Sequence, residues 1–234
     1  MADPLIELRG VTKRYAAHAA LDGVDLSVAA GEFVALVGGS GSGKTTLLKT
    51  VNGLIAPDAG QVRVAGEDVA AAEPHVLRRR IGYVFQEVGL FPHLTVAENI
   101  GVTPRLLGWD KARIAARVAA LLDLVALPDS VTERAPSALS GGQRQRVGVA
   151  RALAAEPRLM LMDEPFGALD PVTRDALGAD YRALHERLGL TTLMVTHDMT
   201  EAVLLADRIV VLAQGRILAD GAPAELLARS ADPE

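Results

Sequence analysis

Short apolar runs and longer stretches with helical spacing alternate along this chain, a pattern typical of an α/β protein. Segments 33–37, 159–162 and 192–196 are almost continuously apolar and predict strands buried on both faces of a sheet. Segments 5–8 and 24–28 alternate apolar and polar positions, the first loosely and the second strictly, and predict half-exposed strands. Further strands are predicted at 60–66 and 81–86, and a hairpin at 209–212 and 216–219.

Helical features without any strand pattern fill the segment from 95 to 127. Thr95 and Glu98 form the Thr-x-x-Glu pattern of a capping box, which predicts a helix start. Pro104 interrupts the segment downstream of this start, and Asp110 begins a fresh helix with apolar residues at helical spacing. We interpret this segment as a helical insertion between two sheet-forming parts of the chain. The alternative is that its exposed loops only extend the domain and have no role of their own. Helices are also predicted after residue 44, at 144–155, after Pro171 and at 223–229.

Composition limits the classes of function. The 234 residues are 50% hydrophobic but only 3% aromatic, and they can form one α/β domain with a proper core. A net charge of −5 argues against a nucleic-acid-binding surface, which needs a basic patch. No apolar stretch approaches the roughly 18 residues of a membrane span, and the first residues lack the features of an export signal, so we expect a cytosolic protein. The absence of cysteine excludes disulfides and thiol chemistry.

A glycine-rich loop stands between a predicted strand and a predicted helix, with the sequence Gly38-Gly39-Ser40-Gly41-Ser42-Gly43-Lys44-Thr45. This is the GxxxxGKT pattern of a phosphate-binding loop, in the structural context that the motif requires. Glycines let several backbone N–H groups turn toward phosphate oxygens, and the positive end of the following helix favours the same charge. Lys44 would reach the β- and γ-phosphates, and the Thr45 hydroxyl would bind Mg²⁺. The neighbouring Thr46 belongs to the same predicted site.

Polar side chains follow three of the predicted strands. Asp163 and Glu164 end one strand; Asp163 suits Mg²⁺, and Glu164 suits the polarisation of an attacking water. Gln86 ends another strand and could coordinate Mg²⁺ or a water, and His197 ends a third and could contact a γ-phosphate. Each of these residues could also be an ordinary loop or structural residue, so their relative positions must decide.

A second glycine-rich helix start occurs at Leu139-Ser140-Gly141-Gly142-Gln143. Ser140 could simply be an N-cap, but that interpretation does not explain the two glycines that follow. The chain therefore carries two helix starts suited to anions. Tyr15, which precedes the phosphate loop, could stack on a purine or could be an ordinary exposed tyrosine. Asp170 lies in a turn that leads into another helix.

Taken together, these motifs resemble, in order and spacing and over essentially the whole chain, the ATP-binding subunits of ABC transporters. The LSGGQ sequence about 20 residues before a strand ending in Asp-Glu carries most of this resemblance. It implies ATP and Mg²⁺ as cofactors, with Tyr15 on the adenine, Thr45, Gln86 and Asp163 at Mg²⁺, Glu164 as general base and His197 on the γ-phosphate. It also implies that Ser140, Gly141, Gly142 and Gln143 bind the ATP held by a second copy of the chain, with Asp170 at the seam of this head-to-tail dimer. Gly167 replaces the serine of many family members.

The resemblance further implies an α/β fold. The expected architecture is a P-loop NTPase core of mixed or parallel sheet with flanking helices, an N-terminal antiparallel β subdomain and a helical insertion subdomain. The whole chain, 1–234, would form one nucleotide-binding domain, with the core and β subdomain at about 1–90 and 158–234 and the helical subdomain at about 91–157.

Segments 88–109 and 196–202 look like the branch of importers for osmoprotectants such as glycine betaine, choline and proline betaine. This branch implies transmembrane permease subunits, an external solute-binding protein and a peripheral place on the cytoplasmic face of the membrane. An importer for another solute, such as an amino acid, and a soluble ABC ATPase without a transport role are the alternatives. Many relatives continue into a regulatory domain that senses ionic strength; natural absence and truncation would both agree with a sequence that ends at Glu234.

Overall fold

The computed structural model describes residues 4–16 and 18–231, and it has the predicted α/β fold with two sheets and flanking helices. The strands are β1 Ile6–Tyr15, β2 His18–Val28, β3 Phe33–Val37, β4 Ala59–Val64, β5 Glu67–Asp68, β6 Ile81–Val84, β7 Leu159–Asp163, β8 Thr191–Thr196, β9 Arg208–Ala213 and β10 Arg216–Gly221. The helices are α1 Lys44–Val51, α2 Pro74–Arg79, α3 Val96–Ile100, α4 Val102–Leu106, α5 Lys111–Leu124, α6 Gly141–Leu153, α7 Pro171–Leu188, α8 Met199–Leu205 and α9 Pro223–Ala231.

The larger sheet has the strand order β10-β9-β3-β8-β7-β6, and all its neighbours are parallel except β9 and β10. Side chains of β3 point alternately into two apolar clusters: Phe33 and Val37 enter the cluster beneath the helices, and Leu36 enters the cluster shared with the smaller sheet. All five residues of β3 are buried because both faces are covered. The carboxyl ends of β3, β6, β7 and β8 consequently meet at one edge.

The smaller sheet is antiparallel, with the order β2-β1-β4-β5. Residues 24–28 alternate between buried and exposed, as their sequence predicts. The strands β1 and β2 are longer than predicted, because β1 continues through irregular register shifts to Tyr15 and β2 begins at His18. The segment 96–153 contains only helices, including two 3₁₀ turns, and it connects β6 to β7.

Two local predictions need correction. The helical segment breaks at Gly101, between α3 and α4, and Pro104 lies inside α4. Proline is tolerated there because the first turn of a helix has no partner for its N–H groups. Helix α2, with Pro74 as its first residue, was not predicted. It contains Arg78 and Arg79, the first two of three consecutive arginines at 78–80. Asp110 caps α5 as predicted. Within the described ranges, no helix has the length and apolar character needed to cross a membrane.

Candidate nucleotide site

The phosphate loop joins β3 to α1, and its geometry depends on close packing against two other strands. A Cβ atom added to Gly38 would lie 2.1 Å from the carbonyl oxygen of Leu212 in β9. A Cβ atom added to Gly43 would lie 2.1 Å from the carbonyl oxygen of Ala20 in β2, and Gly43 has a φ of +106°. Only glycine fits at these two positions, so the loop is held between the two sheets in one shape.

Lys44, the first residue of α1, is buried with its ammonium group inside the loop. Its Nζ donates hydrogen bonds to the carbonyl oxygens of Gly38 at 2.7 Å and Gly39 at 2.9 Å. Burial lowers the pKa of Lys44, and the carboxylates of Glu164 and Asp163 oppose that effect. The loop therefore concentrates a cationic side chain and a helix N-terminus at one point, which is the electrostatic requirement for binding a phosphate.

Thr45 and Asp163 connect the loop to the end of β7. The Thr45 hydroxyl donates to Asp163 Oδ1 at 2.9 Å, and Asp163 is 9% exposed. Burial raises the pKa of Asp163, so a cation beside it would offset the cost of its charge. A hydroxyl and a carboxylate are oxygen ligands of the kind that Mg²⁺ prefers, and these two residues fit that ion. Among the described residues there is no group of three or more His, Asp or Glu side chains that could hold a metal ion by themselves.

Glu164 hydrogen-bonds to the two other predicted catalytic side chains, Gln86 and His197. Its Oε2 accepts a hydrogen bond from His197 Nδ1 at 3.0 Å and from Gln86 Nε2 at 3.4 Å. Because a carboxylate can only accept, Nδ1 of His197 carries a proton in this pairing. Glu164 has a φ of +46°, an unfavourable conformation for a residue with a side chain, and its N–H is held by the carbonyl oxygen of Val195. Such strain, roughly 1–3 kcal/mol, often marks a functional position.

The loop after Gln86 is tied to the helical part of the chain. Arg151 in α6 donates to the carbonyl oxygens of Val88 and Gly89, both at 2.6 Å. A Cβ atom on Gly148, one turn earlier in α6, would lie 2.7 Å from a methyl group of Val88. Sequence reasoning missed Arg151, because nothing in the motif pattern links it to a loop 63 residues away.

The second glycine-rich segment begins α6. Ser140 accepts a hydrogen bond from the Gln143 N–H at 3.2 Å, and the Gln143 side chain accepts one from the Ser140 N–H at 2.9 Å. This capping box accounts for Ser140 and Gln143, but not for the two glycines between them, neither of which has a positive φ. Within the described part of this chain, none of these residues hydrogen-bonds to the phosphate loop.

Asp170 caps α7 by accepting from the Thr173 N–H at 3.1 Å, and hydrogen bonds from Thr173 lower the pKa of Asp170. A Cβ atom on Gly142 would lie 3.1 Å from the Thr173 methyl group, so the start of α6 lies next to the start of α7. Gly167 is exposed, with its nearest contacts on Glu164. The starts of α6 and α7 therefore form one partly exposed surface, and Gly167 connects it to Glu164.

Tyr15 lies at the end of β1, and its side chain is 48% exposed. It faces His18 across the β1–β2 pair, and the nearby Ala20 contacts the position of Gly43 in the phosphate loop. The structure thus places the predicted residues in three groups: the strand-end cluster with the phosphate loop, Tyr15 beside it on the smaller sheet, and the exposed surface formed by the starts of α6 and α7.

Comparisons with known proteins agree with this geometry. Residues 21–167 match the family described as ABC transporter. The glycine betaine/carnitine/choline transport ATP-binding protein OpuCA of Bacillus subtilis is 48% identical, over 97% of this chain and 60% of the relative. The sulfate/thiosulfate import ATP-binding protein CysA of Bradyrhizobium diazoefficiens is 50% identical, over 94% of this chain and 64% of the relative. The chain therefore spans less than two thirds of the length of either relative.

Among solved structures, the dimeric post-hydrolysis state of the ATP-binding cassette MJ0796, bound to ADP and phosphate, is similar with a TM-score of 0.84 and 34% identity. That alignment covers 93% of this chain and 98% of the cassette. A family match over more than half of the chain and this shared fold lead to one conclusion. The chain belongs to the ABC transporter family.

Proposed function

We propose that this chain is the ATP-hydrolysing subunit of an importer. The observation that carries the proposal is the convergence, at one edge of the larger sheet, of a phosphate loop, a Thr45–Asp163 pair and the Glu164 cluster. The phosphate loop would bind the nucleotide, the Thr45–Asp163 pair would bind the metal, and the Glu164 cluster would activate water. Hydrogen bonds join the side chains within the pair and within the cluster.

Each residue has a distinct role in this proposal. Lys44 would exchange the carbonyl oxygens of Gly38 and Gly39 for phosphate oxygens, and the N–H groups of residues 39–46 would bind the remaining phosphate oxygens. Thr45 and Asp163, with Gln86, would hold Mg²⁺, which neutralises phosphate charge when bound. Glu164 would orient the attacking water and accept its proton.

His197 would contact the γ-phosphate as a hydrogen-bond donor. Because Nδ1 already donates to Glu164, His197 must either carry a second proton on Nε2 or release Glu164. In the first case His197 bridges Glu164 and the γ-phosphate, and in the second it changes partners when nucleotide binds.

We propose that two copies associate head to tail, each ATP lying between the phosphate loop of one copy and Ser140–Gln143 of the other. Ser140 and Asp170 are exposed at the starts of α6 and α7, which leaves this surface open to a second molecule. Gly142 packs against Thr173 within the chain, but an added Cβ atom on Gly141 would meet no atom closer than 3.7 Å, and Gly141 has no positive φ. Glycine in a helix costs roughly 1 kcal/mol relative to alanine, so close approach of a second molecule would give Gly141 a reason. The dimeric state of the similar MJ0796 cassette supports the same arrangement.

A permease would bind the groove beside Gln86. The cavity there has a volume of about 390 Å³ and is lined by Tyr83, Phe85, Phe91 and by Arg78, Arg79 and Arg151, among others. Phe85 and Phe91 are 45% and 43% exposed. Exposed aromatic side chains beside basic ones suit a short amphipathic helix from a membrane subunit. In this proposal the predicted helical subdomain, about 91–157, moves with the permease, and the chain lies on the cytoplasmic face of the membrane.

We propose osmoprotectants of the glycine betaine and choline type as solutes, with an external binding protein that delivers them. The name of OpuCA supports this choice, and the CysA relative, with 50% identity, makes sulfate the second candidate. Uptake of labelled glycine betaine, choline and sulfate by cells that express this chain with its cognate permease would decide between them. Betaine or choline uptake supports the proposal, and sulfate uptake alone contradicts it.

ATP binding and hydrolysis by the purified chain test the core of the proposal. Lys44→Ala should lose ATP affinity, since it removes the cation of the loop. Lys111→Ala is the matched control, because Lys111 is likewise the first residue of a helix but lies in α5. Equal ATP affinity in the two variants would contradict the role of Lys44.

A further inference from the structure

The carboxylate of Asp58 binds the last residues of β1 immediately before Tyr15. Lys13 Nζ donates to Asp58 Oδ1 at 2.7 Å, and the Arg14 N–H donates to Asp58 Oδ2 at 2.7 Å. The Asp58 N–H in turn donates to the carbonyl oxygen of Thr12 at 2.8 Å. The hydrogen bond from Lys13 lowers the pKa of Asp58, so the carboxylate is ionised at neutral pH. One residue thus holds three consecutive residues of β1.

This contact adds to strand pairing at a place where the pairing is irregular. Lys13, Arg14 and Tyr15 remain paired with β2, but the register shifts between Val11 and Lys13 and again between Lys13 and Arg14. On the other side of β1, pairing with β4 ends at Thr12 and Ala59, and the bonds to Asp58 begin directly after it. The end of β1 is therefore paired on one side and held by Asp58 on the other, so the two bonds to Asp58 help to fix where the following Tyr15 lies.

Lys13 also contacts the aromatic ring that follows it. Its ammonium nitrogen lies 5.7 Å from the centroid of the Tyr15 ring, within the range of a cation–π interaction. Asp58 holds this ammonium group, and Lys13 is only 18% exposed in its side chain. A cation near the ring draws electron density toward itself, which favours stacking with an electron-rich aromatic group. Because the Tyr15 side chain is 48% exposed, part of the ring stays open to such a group.

We propose that Asp58 is a positioning residue for the nucleotide base, acting through Lys13 and the Arg14 N–H to orient the ring of Tyr15. The inference rests on the proposed function, in particular on stacking of a base against Tyr15. The ligand chemistry at this point is a planar, electron-rich heterocycle on the exposed part of the Tyr15 ring. Asp58 contacts neither base nor phosphate.

The test compares ATP with inorganic tripolyphosphate, which has the phosphates but no base. Asp58→Ala should weaken ATP binding about five- to tenfold in titration calorimetry, because base stacking contributes roughly that order of affinity or more. The affinity for tripolyphosphate and the kcat for ATP hydrolysis should stay within about twofold of the wild type. Asp68→Ala is the control: Asp68 also accepts from a side chain, Gln61, and from a backbone N–H, that of Ala70, in the same sheet.

Two results would overturn the inference. One is an ATP affinity of Asp58→Ala that matches that of Asp68→Ala. The other is an equal loss of affinity for ATP and tripolyphosphate, which would mean that Asp58 supports the phosphate loop rather than the base. If Asp58→Ala does not fold, Lys13→Met and Lys13→Arg replace it: methionine should reproduce the selective loss, and arginine should restore affinity.

A double mutant separates this inference from the proposed function. In a Tyr15→Ala background, Asp58→Ala should cause no further loss of ATP affinity, because its effect passes through the ring. If Tyr15→Ala alone leaves ATP affinity unchanged, base stacking on Tyr15 is wrong. If Tyr15→Ala weakens ATP binding while Asp58→Ala and Lys13→Met do not, only the role of Asp58 is wrong.

Discussion

Replacing Gly43 with alanine should destabilise the protein although no side chain of the hydrophobic core is removed. The new Cβ atom would lie 2.1 Å from the carbonyl oxygen of Ala20, whereas Cβ atoms in proteins essentially never come within 3.0 Å of such an atom. It would also lie 3.2 Å from a methyl group of Leu21. The oxygen belongs to the backbone of β2, so it cannot rotate away as a side chain could. The residue would also have to keep a φ of +106°, which alanine adopts at a cost of roughly 1–3 kcal/mol.

Overpacking adds roughly 1–3 kcal/mol, so the total loss in the free energy of unfolding should be about 2–6 kcal/mol. For a chain of this size each kcal/mol lowers Tm by roughly 2–4 °C, which predicts a decrease of about 4–24 °C. Circular dichroism during thermal unfolding without nucleotide measures this change. The control is Gly39→Ala, because open space surrounds Gly39 and its φ is not positive. Equal Tm values for the two variants would refute the argument that close packing against β2 fixes the loop.

Three other substitutions test the site and its supports. Glu164→Gln keeps the shape of the side chain but removes its basicity, so the rate of ATP turnover should fall about 10²–10⁴-fold. ATP should still bind, and gel filtration with ATP should show a dimer. A normal turnover rate would mean that Glu164 is not the general base. Arg151→Ala removes both donors to the loop after Gln86, and it should lower kcat more than ATP affinity; an unchanged kcat in a folded variant would contradict the link. His185, whose pKa is lowered by burial and by Arg182, should make the folded state less stable as the pH falls below about 6.5, since the unfolded chain binds the proton more readily. In His185→Asn the decrease in Tm between about pH 7.5 and about pH 5.5 should be smaller than in the wild type, whereas the exposed control His75→Asn should keep the full decrease.

Much of the fold could be predicted from the sequence, because buried parallel strands have a distinctive pattern. Segment 33–37 is apolar at every position, which occurs when both faces of a strand are covered, and the structure covers both. Segment 24–28 alternates because only one face is covered. The extension of β1 to Tyr15 was missed because its polar residues at 12–14 have no apolar periodicity, and the side-chain carboxylate of Asp58 supports them in addition to the ladder with β2.

The candidate site was predictable as a set of strand ends, but its contacts were not. The sequence identifies Asp163, Glu164 and His197 as residues that follow apolar strands, and parallel pairing of β7 with β8 brings them to one edge. The sequence does not reveal that Glu164 Oε2 serves both His197 and Gln86, because hydrogen-bond partners depend on rotamers. It also gives no sign of Arg151 or Asp58, because Arg151 binds backbone carbonyls, and Asp58 binds a backbone N–H and a lysine distant in the sequence, neither of which has a sequence signature.

The two halves of the proposed nucleotide site are carried by different elements. The phosphate loop and Asp163 continue from buried strands of the larger sheet. Ser140 begins α6, and the same helix holds the loop after Gln86 through Arg151. In the proposed function, a permease segment in the groove beside Phe85 and Phe91 would contact the loop that α6 holds, so we expect its displacement to reach Ser140 through α6 before it reaches Lys44. Such a permease would control the closure of two copies around ATP more than the first binding of nucleotide by either copy.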